Sequence, residues 1–258
     1  MLVARGDFVH DRSMISVVVP THNSEAHLAD ALSSLVPAAV EGLIREVIVA
    51  DGGSTDRTLD IADGSGAEIV KSEAGRGAQL RAGAARARFP WLLFLNADTV
   101  LDPGWEREAQ LHIERVESRR RRMSAASFRF VLDDEGLMPR TLEMLASFRT
   151  GLLKLPYGDQ ALLIPRSLYD EVGGFNALPA LEDLDILRRI GRRRIVALSG
   201  RAVTSGERYR RDGYVGRIAR NQVCLGLYLL GLPVGTIANL IGARPEAGGE
   251  TLAARSAP

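Results

Sequence analysis

The amino-acid sequence predicts an α/β protein with a mainly parallel, doubly wound sheet and helices on both of its faces. Four short, mainly apolar runs occur at 14–19, 46–50, 67–70 and 91–95, the first of them rich in β-branched residues, and such runs are typical of buried strands. Helical stretches separate these runs, which predicts right-handed βαβ crossovers between parallel strands. In such a sheet, ligands bind beyond the carboxyl ends of the strands.

The helices are predicted from apolar residues at helical spacing. Ser24 precedes the first helix and is a residue type expected at an N-cap. The sequence predicts helices over 25–36, 55–62, 78–87, 103–116, 139–153 and 182–190. It predicts further strands over 125–131, 161–164 and 194–198. Because no composition break divides this region, we expect one continuous domain over 14–207, preceded by an N-terminal extension over 1–13.

Composition and charge define the broad class. The chain has 258 residues, 46% hydrophobic and 25% charged, which is enough to bury a core without disulfides. Lys and Arg number 33 against 32 Asp and Glu, so the net charge of +1 gives no basic excess for a nucleic acid. The charge is nevertheless polarised, because residues 188–220 contain eleven arginines against two acids, whereas residues 1–187 contain 20 basic and 28 acidic residues.

Cysteine content and the start of the chain indicate a reducing compartment. Cys224 is the single cysteine, so the chain has no internal disulfide or cysteine metal site. Residues 1–13 lack the long apolar run of a signal peptide. We therefore expect a cytoplasmic protein.

Polar residues follow the first, second and fourth predicted strands, at 20–23, 51–56 and 96–99. A carboxylate at a strand end can hold Mg²⁺ or Mn²⁺ while substrate phosphates complete the shell. This is the functional interpretation of Asp98, and a cap for the following helix is the alternative. Asp51 can accept hydrogen bonds from a nucleobase or ribose, or it can be a turn residue, since Asp-Gly is common in turns.

A second acidic cluster, Glu182, Asp183 and Asp185, begins the helix predicted over 182–190. Acids at a helix start are favoured by the helix dipole whatever else they do. One of these carboxylates can instead take a proton from an acceptor hydroxyl as general base. The sequence leaves both interpretations open. It contains no GxGxxG directly after a strand and no Walker A motif, which argues against a dinucleotide or P-loop site.

Six segments, taken together and in this order, resemble the inverting glycosyltransferases of family 2, which have a GT-A fold and use nucleotide-sugar donors. The segments are ISVVVPTHNSE, EVIVADGGSTDRT, GRGAQLRAGAARA, WLLFLNADT, GDQALLIPRSLYDEVGGF and LEDLDILRRI. They extend from Met14 to about Ile190. The GDQ sequence at 158–160 and the segment 205–209 are most similar to a group of short bacterial members called selenodomain-associated transferases.

The resemblance implies roles for individual residues. Asp183 matches the general base, Asp51 matches the carboxylate that binds the nucleotide base, and Asp98 matches the last residue of the metal-binding DxD motif, which holds Mg²⁺ or Mn²⁺ on the diphosphate. The implied donor-binding residues are Pro20, Thr21, Asn23, Glu25, Asp51, Gly53, Arg76, Asn96, Ala97, Asp98 and Arg208. The implied acceptor-side residues are Gly158, Asp159, Gln160, Glu182 and Tyr209, the last as an aromatic platform.

The chain departs from the family pattern at three places, the first of which is Arg81, where Asn is common in the GRGAQLRAG segment. Asn96 stands at the first DxD position, where many members have Asp, and this argues against a direct metal contact there. The Gln-x-x-Arg-Trp motif of processive members appears only as SGERY at 205–209. We therefore expect transfer of a single sugar rather than synthesis of a polymer.

The C-terminal region contains an uncharged stretch over 221–243, whose length reaches the threshold for a membrane span. Pro233 and several glycines interrupt it, so we expect a helical hairpin within a C-terminal extension over 208–244. The hairpin would pack on the domain, form a homodimer, or lie in the plane of a membrane, where the arginines before it suit anionic lipid headgroups. Residues 245–258 are predicted to be a disordered tail.

The sequence thus predicts a metal-dependent, inverting, non-processive glycosyltransferase. It would move one sugar from a nucleoside diphosphate sugar, UDP-linked, to the hydroxyl of an unknown acceptor, with lipids among the candidates and the inner face of the cell membrane as a second location. Two alternatives stay open: a sugar-phosphate nucleotidyltransferase, and a catalytically inactive nucleotide-sugar-binding or scaffold protein. The chain lacks the glycine-rich basic signature that is usual in nucleotidyltransferases. Retention of Asp98 and Asp183 argues against the inactive protein.

Overall fold

A mixed eight-stranded sheet with flanking helices forms the centre of the fold. The computed structural model describes residues 14–156, 158–178 and 181–240. Within these ranges the strands are β1 Ile15–Thr21, β2 Ile44–Asp51, β3 Glu68–Lys71, β4 Trp91–Phe94, β5 Thr99–Leu101, β6 Ala125–Asp133, β7 Leu162–Pro165 and β8 Ile195–Ser205. Their order in the sheet is β3-β2-β1-β4-β7-β6-β8-β5.

The helices cover both faces of this sheet and continue beyond its last strand. They are α1 Leu28–Ser33, α2 Val36–Val40, α3 Thr58–Gly64, α4 Arg76–Arg86, α5 Trp105–Glu117, α6 Leu137–Phe148, α7 Arg166–Glu171, α8 Glu182–Ile190, α9 Glu207–Asp212, α10 Tyr214–Leu229 and α11 Val234–Leu240. A π-helical turn, Arg149–Leu153, extends α6. Two 3₁₀ turns are formed by Gly158–Gln160 and Arg192–Arg194.

The first half of the sheet confirms the predicted parallel arrangement. Strand β1 pairs in parallel with β2 and β4, and β2 pairs in parallel with β3. All seven residues of β1 are buried, because alternate side chains enter different cores. Val17 and Val19 belong to one apolar cluster, whereas Val18 belongs to a second cluster together with Ile48 and Leu80. Burial on both faces explains why this strand is a nearly continuous apolar run.

The second half of the sheet differs from the prediction of a mainly parallel sheet. Strand β7 is antiparallel to both β4 and β6, and β5 is antiparallel to β8, while β6 and β8 are parallel. An apolar run predicts a strand but not its direction, so the antiparallel pairing of β7 and β5 could not be predicted from the sequence. The predicted parallel organisation therefore holds for β1 to β4 and for the β6–β8 pair.

Two local predictions need correction, and two short elements were missed. The helix predicted over 25–36 is two short helices, α1 and α2, and Ser24 is not at the N-cap. His27 holds that position, while the Ser24 carbonyl accepts hydrogen bonds from the amides of His27 and Leu28. Strand β5 and helix α7 were not predicted, since three and six residues are too few to show a hydrophobic period.

Several predictions concern residues outside the described ranges. These are the extension over 1–13, the tail over 245–258 and the end of the uncharged stretch after residue 240. Within the described ranges, no helix combines the length and the apolar character needed to cross a membrane.

Gly83 allows α4 to lie directly on the parallel sheet. A Cβ atom at this position would stand 2.3 Å from Val18 Cγ1 and 3.4 Å from Ala50 Cβ. We expect Gly83→Ala to lower the free energy of unfolding by about 1–3 kcal/mol, because the extra methyl group overpacks a buried contact. Urea unfolding followed by circular dichroism would measure this change.

Gly64→Ala is the matched control, because a Cβ there meets no atom within 4 Å and the residue lies in helix α3. Its free energy of unfolding should stay equal or rise by up to about 1 kcal/mol, since alanine favours a helix. Equal stability of the Gly83→Ala variant and the wild type would contradict the proposed close packing.

Candidate active site

The candidate site lies where β1, β2 and β4 end on one edge of the sheet. Thr21 and Asp51 are the last residues of β1 and β2, and they pair with each other in the parallel register. Asn96 and Asp98 follow β4, which pairs with the other side of β1. The topology therefore brings together the polar strand ends that the sequence separates by up to 77 positions, from Thr21 to Asp98.

Asp51 organises the first loop of this edge. Its carboxylate accepts hydrogen bonds from the amides of Gly53 and Ser54, each at 2.9 Å, and from the hydroxyls of Thr21 at 3.1 Å and Ser54 at 2.5 Å. Four donors occupy most of the lone-pair directions of a carboxylate. The structure thus supports the turn-forming interpretation of Asp51.

The loops after β1 and β2 are bonded to each other through predicted donor-binding residues. The Asn23 side-chain oxygen accepts from the Thr55 amide at 2.8 Å, and the Asn23 amide donates to the Ser54 hydroxyl at 2.9 Å. The Glu25 carboxylate accepts from the Arg57 amide at 3.0 Å. These contacts make the two loops one rigid unit beside the edge of the sheet.

Arg76, the first residue of α4, connects three separate parts of the site. Its guanidinium donates to the Asn96 side-chain oxygen at 2.9 and 3.2 Å, to the Glu182 carboxylate at 2.5 Å and to the Gly158 carbonyl at 3.1 Å. The planar guanidinium can present several donors at once, which lysine cannot. Arg76 thereby ties the end of β4 to the 3₁₀ turn and to helix α8.

Asn96 uses both ends of its amide. Its oxygen accepts from Arg76, and its nitrogen donates to the Asp159 carboxylate at 2.7 Å. An aspartate could accept from Arg76 but could not donate to Asp159. The asparagine at the first DxD position therefore has a specific structural function.

The three acids of α8 have different partners. Glu182 is buried and paired with Arg76; burial raises the pKa of its carboxyl group, and Arg76 opposes that rise. The Asp183 carboxylate accepts from the amides of Gly158 at 2.9 Å and Leu184 at 2.8 Å. Asp185 bonds to Arg189 and Asn176 and so has a structural function at the other side of the helix.

Asp98 is paired with Arg208, the second residue of α9. The Asp98 side chain is mostly buried and the Arg208 side chain is about one-third exposed, at 13% and 35%. The carboxylate that was predicted to hold a metal is thus neutralised by a protein cation. Among the described residues, no group of three or more His, Cys, Asp and Glu side chains is arranged to hold a metal ion by itself.

Two predicted acceptor-side residues have side chains that face the protein interior. Tyr209 is 6% exposed, and its ring stacks on Tyr214 with centroids 5.6 Å apart while Arg217 lies 4.9 Å away. Gln160 is buried and donates to the Phe128 carbonyl at 2.8 Å. Rings and amides in such positions pack against protein, which disfavours the aromatic-platform role of Tyr209.

Two residues of the site were not singled out from the sequence. Ser54 bonds to Asp51 and Asn23, and buried Gln79 donates to the Thr21 carbonyl at 2.5 Å. Gln79 was detectable as a polar residue within the alanine-rich sequence of α4. Ser54 carried no distinguishing signal, because serine is ordinary in a glycine-rich turn.

The chain belongs to glycosyl transferase family 2, since the model of that family matches residues 16–179, more than half of the sequence. This confirms the resemblance drawn from the six segments. Glucosyl-3-phosphoglycerate synthase of Mycobacterium tuberculosis is 48% identical over 59 residues, which cover 23% of this chain and 18% of that protein. A PGL/p-HBAD biosynthesis glycosyltransferase of Mycobacterium bovis is 35% identical over 95 residues, covering 34% and 36% of the two chains. The alignments thus span about a fifth to a third of these curated relatives.

Solved structures show a similar fold. The Mycobacterium tuberculosis glucosyl-3-phosphoglycerate synthase in complex with Mn²⁺, UDP and glucosyl-3-phosphoglycerate superposes with a TM-score of 0.54 and 23% identity, covering 86% of this chain and 81% of that chain. Staphylococcus aureus TarS 1-349 in complex with UDP-GlcNAc gives a TM-score of 0.56 and 20% identity, covering 74% and 58%. At these identities the likeness concerns the GT-A fold.

The two hydrogen bonds of the Asn96 side chain predict how stability changes when the amide and the carboxylate of Asn96 and Asp159 are exchanged. Asn96→Asp should lower the free energy of unfolding by about 2 kcal/mol, because it removes a buried donor and places a second carboxylate against Asp159. The double variant Asn96→Asp/Asp159→Asn restores the donor in the reverse direction. We expect it to recover at least about 1 kcal/mol of coupling free energy, measured by urea unfolding of all four proteins.

Asn176→Asp is the matched control, because Asn176 also donates to a carboxylate, Asp185, but is exposed to solvent. Screening by water should keep its cost below about 1 kcal/mol. If the two single variants at positions 96 and 159 are additive in the double variant, the pairing between these side chains is not the reason for the asparagine.

Proposed function

We propose that this protein is a metal-dependent, inverting, non-processive glycosyltransferase that moves one sugar from a nucleoside diphosphate sugar, UDP-linked, to an acceptor hydroxyl. One observation carries the proposal: the Arg76 network joins the strand ends that carry Asn96 and Asp98 to the helix that carries Asp183. Donor groups and a proton acceptor are thereby positioned around the same edge of the sheet, where ligands of open α/β sheets bind.

The donor half of the proposed site comprises the rigid loops after β1 and β2 together with Arg76, Asn96, Ala97 and Asp98. Pro20 and Thr21 end the buried strand β1. Gly53 has a φ of 92°, and no atom lies within 4 Å of the position that a Cβ would occupy, which lets a ligand approach the backbone. Asp51 holds this loop in shape, and in this proposal it meets the nucleotide base through the edge of its carboxylate. Thr21, Asn23 and Glu25 line the base and ribose.

The charge balance at Asp98 fits a divalent cation. A largely buried carboxylate needs a cationic partner, and Arg208 supplies one to Asp98. A bound Mg²⁺ or Mn²⁺ would neutralise the charge that develops on the departing nucleoside diphosphate. In this proposal Arg208 then turns from Asp98 to a phosphate oxygen, for which its forked donors are suited.

Asp183 is proposed as the general base. Its Oδ1 and Oδ2 each accept one backbone amide, which fixes the orientation of the carboxylate and leaves lone pairs for an acceptor hydroxyl. Glu182 and Arg76 balance each other beside it. Asp183 can then take the proton of the attacking hydroxyl from the face opposite the leaving diphosphate, and a single displacement inverts the anomeric carbon.

For the acceptor and the cellular location we propose a class of molecule and a compartment. Gly158 and Asp159 contact Asp183 and Asn96 and so border the acceptor side. The uncharged stretch over 221–243 and the arginines before it favour a lipid or another apolar acceptor, a cytoplasmic location next to the membrane, and either peripheral membrane contact or a homodimer. We further propose that the chain belongs to the short selenodomain-associated group. In this proposal the transferase domain covers 14–207 and the C-terminal extension covers 208–244.

Product analysis separates the enzymatic alternatives. A glycosyltransferase releases UDP from a UDP-sugar, whereas a nucleotidyltransferase releases pyrophosphate from a nucleoside triphosphate. A thermal-shift panel of nucleotides and nucleotide sugars with and without Mn²⁺ would first identify the donor. A donor that binds but is never turned over with any acceptor would favour the inactive binding protein.

Substitution of Asp183 tests the proposed base. Asp183→Asn keeps an oxygen for the Gly158 amide but has no basic lone pair, so turnover of the identified donor should fall by about a hundredfold or more while donor affinity stays nearly unchanged. UDP release and calorimetric titration would measure the two quantities. Asp185→Asn is the control, because Asp185 pairs with Arg189 on the same helix. Unchanged turnover in Asp183→Asn would remove it from this role.

Substitution of Asp98 tests the proposed metal site. Asp98→Ala should abolish the dependence of UDP affinity on Mn²⁺, because the carboxylate that shares the metal with the diphosphate is lost. Asp102→Ala is the matched control, since Asp102 also pairs with an arginine, Arg201. Calorimetry that shows the same Mn²⁺ dependence in wild type and Asp98→Ala would contradict the assignment.

A further inference from the structure

Helix α6 and the π turn after it are apolar on the outward face. Leu137, Met144, Phe148 and Leu152 are exposed by 79%, 65%, 62% and 62%. Their spacing of seven, four and four residues places them along one side of the helix. We call these four residues the α6 stripe.

The α6 stripe is unusual because the opposite face of the same helix is also apolar. Leu142 and Ala146 are buried and pack with Phe130, Leu132 and Tyr209. A helix on a protein surface normally turns polar residues to water, whereas four of the exposed positions here are large apolar side chains, which indicates a second apolar environment. The exposed polar residues of α6 are Arg140 and Ser147. Glu143 is buried, pairs with Arg140 at 2.9 Å and accepts from the Leu132 amide at 3.0 Å.

The C-terminal end of the stripe meets a group of arginines. The Arg192 guanidinium donates to the carbonyls of Leu153 at 2.6 Å and Leu152 at 3.2 Å. Arg192 also lines an open groove of about 710 Å³ together with Arg122, Arg193 and Arg194. One acid, Glu171, lies in the groove and pairs with Arg194 at 2.7 Å. The groove therefore carries an excess of positive charge next to exposed apolar side chains.

We propose that the α6 stripe and the arginine groove form a docking surface for an anionic lipid bilayer. Apolar side chains beside a basic group match a bilayer, whose acyl region and anionic headgroups lie side by side, and an in-plane helix enters only the headgroup boundary. A second copy docked through the same surface would present the same arginines and no anionic complement. This surface is separate from the uncharged stretch over 221–243, and its affinity for lipid does not depend on the catalytic roles proposed above.

Vesicle flotation of the full chain tests the proposal. The wild type should float with phosphatidylcholine vesicles that contain about a quarter phosphatidylglycerol, and binding to pure phosphatidylcholine should be at least about fivefold weaker. Met144→Gln/Phe148→Gln/Leu152→Gln and Arg192→Gln/Arg193→Gln should each reduce the bound fraction on anionic vesicles at least about fivefold. The single variant Phe148→Ser serves if the triple variant fails to fold, as judged by circular dichroism.

Two control variants remove the same types of side chain at other places on the surface. Val36→Gln/Val40→Gln removes exposed apolar side chains of α2, and Arg45→Gln/Arg107→Gln removes two exposed arginines; both should float like the wild type. The proposal is overturned if the wild type does not float, if the stripe variants float equally well, or if light scattering shows a wild-type dimer that the stripe variants convert to a monomer. UDP binding, followed by thermal shift in every variant, reports separately on the donor site.

Discussion

The half-buried guanidinium of Arg76 makes the interactions on which the candidate site depends. It lies among Asn96, Glu182 and the Gly158 carbonyl, and through them it holds the end of β4, the 3₁₀ turn and helix α8 in one arrangement. Without a cation at this place, the buried carboxylate of Glu182 would be uncompensated, which is among the more costly situations in a protein interior. The same group that makes the fold electrostatically possible thus also positions the residues proposed for catalysis.

The acids at the edge of the sheet are, like Glu182, paired with donors inside the protein. The acids of the first 187 residues include Asp51, Asp98 and Asp183, each at the edge where a sugar nucleotide is proposed to bind. Each carboxylate is satisfied by internal donors: Asp51 by a turn, Asp98 by Arg208, Asp183 by two amides. Of these three, the Asp98 pairing is the one that uses a long, partly exposed side chain, whose charged end can reach water.

Much of the fold could be predicted because its signals are local. Strands β1 to β4 contain short apolar runs, and the intervening helices follow a regular period, so both their types and their parallel order were accessible. Strands β6, β7 and β8 were also predicted as strands but not their directions, and β5 was missed because it has three residues. In the site, the strand-end acids were predicted, whereas Gln79 and Ser54 were missed because their importance lies in contacts with residues far along the chain.

The sequence by itself determined the family, the buried strands and the identity of the acids at the strand ends, because each of these is recorded in a contiguous pattern of residues. The tertiary structure decided what each polar group does. It directed Tyr209 and Gln160 into the interior, gave Asn96 a donor and an acceptor at once, paired Asp98 with Arg208, and left the α6 stripe open to its surroundings. Such outcomes depend on which distant side chains meet across the sheet, and a one-dimensional pattern carries no information about a partner 30 to 110 positions away.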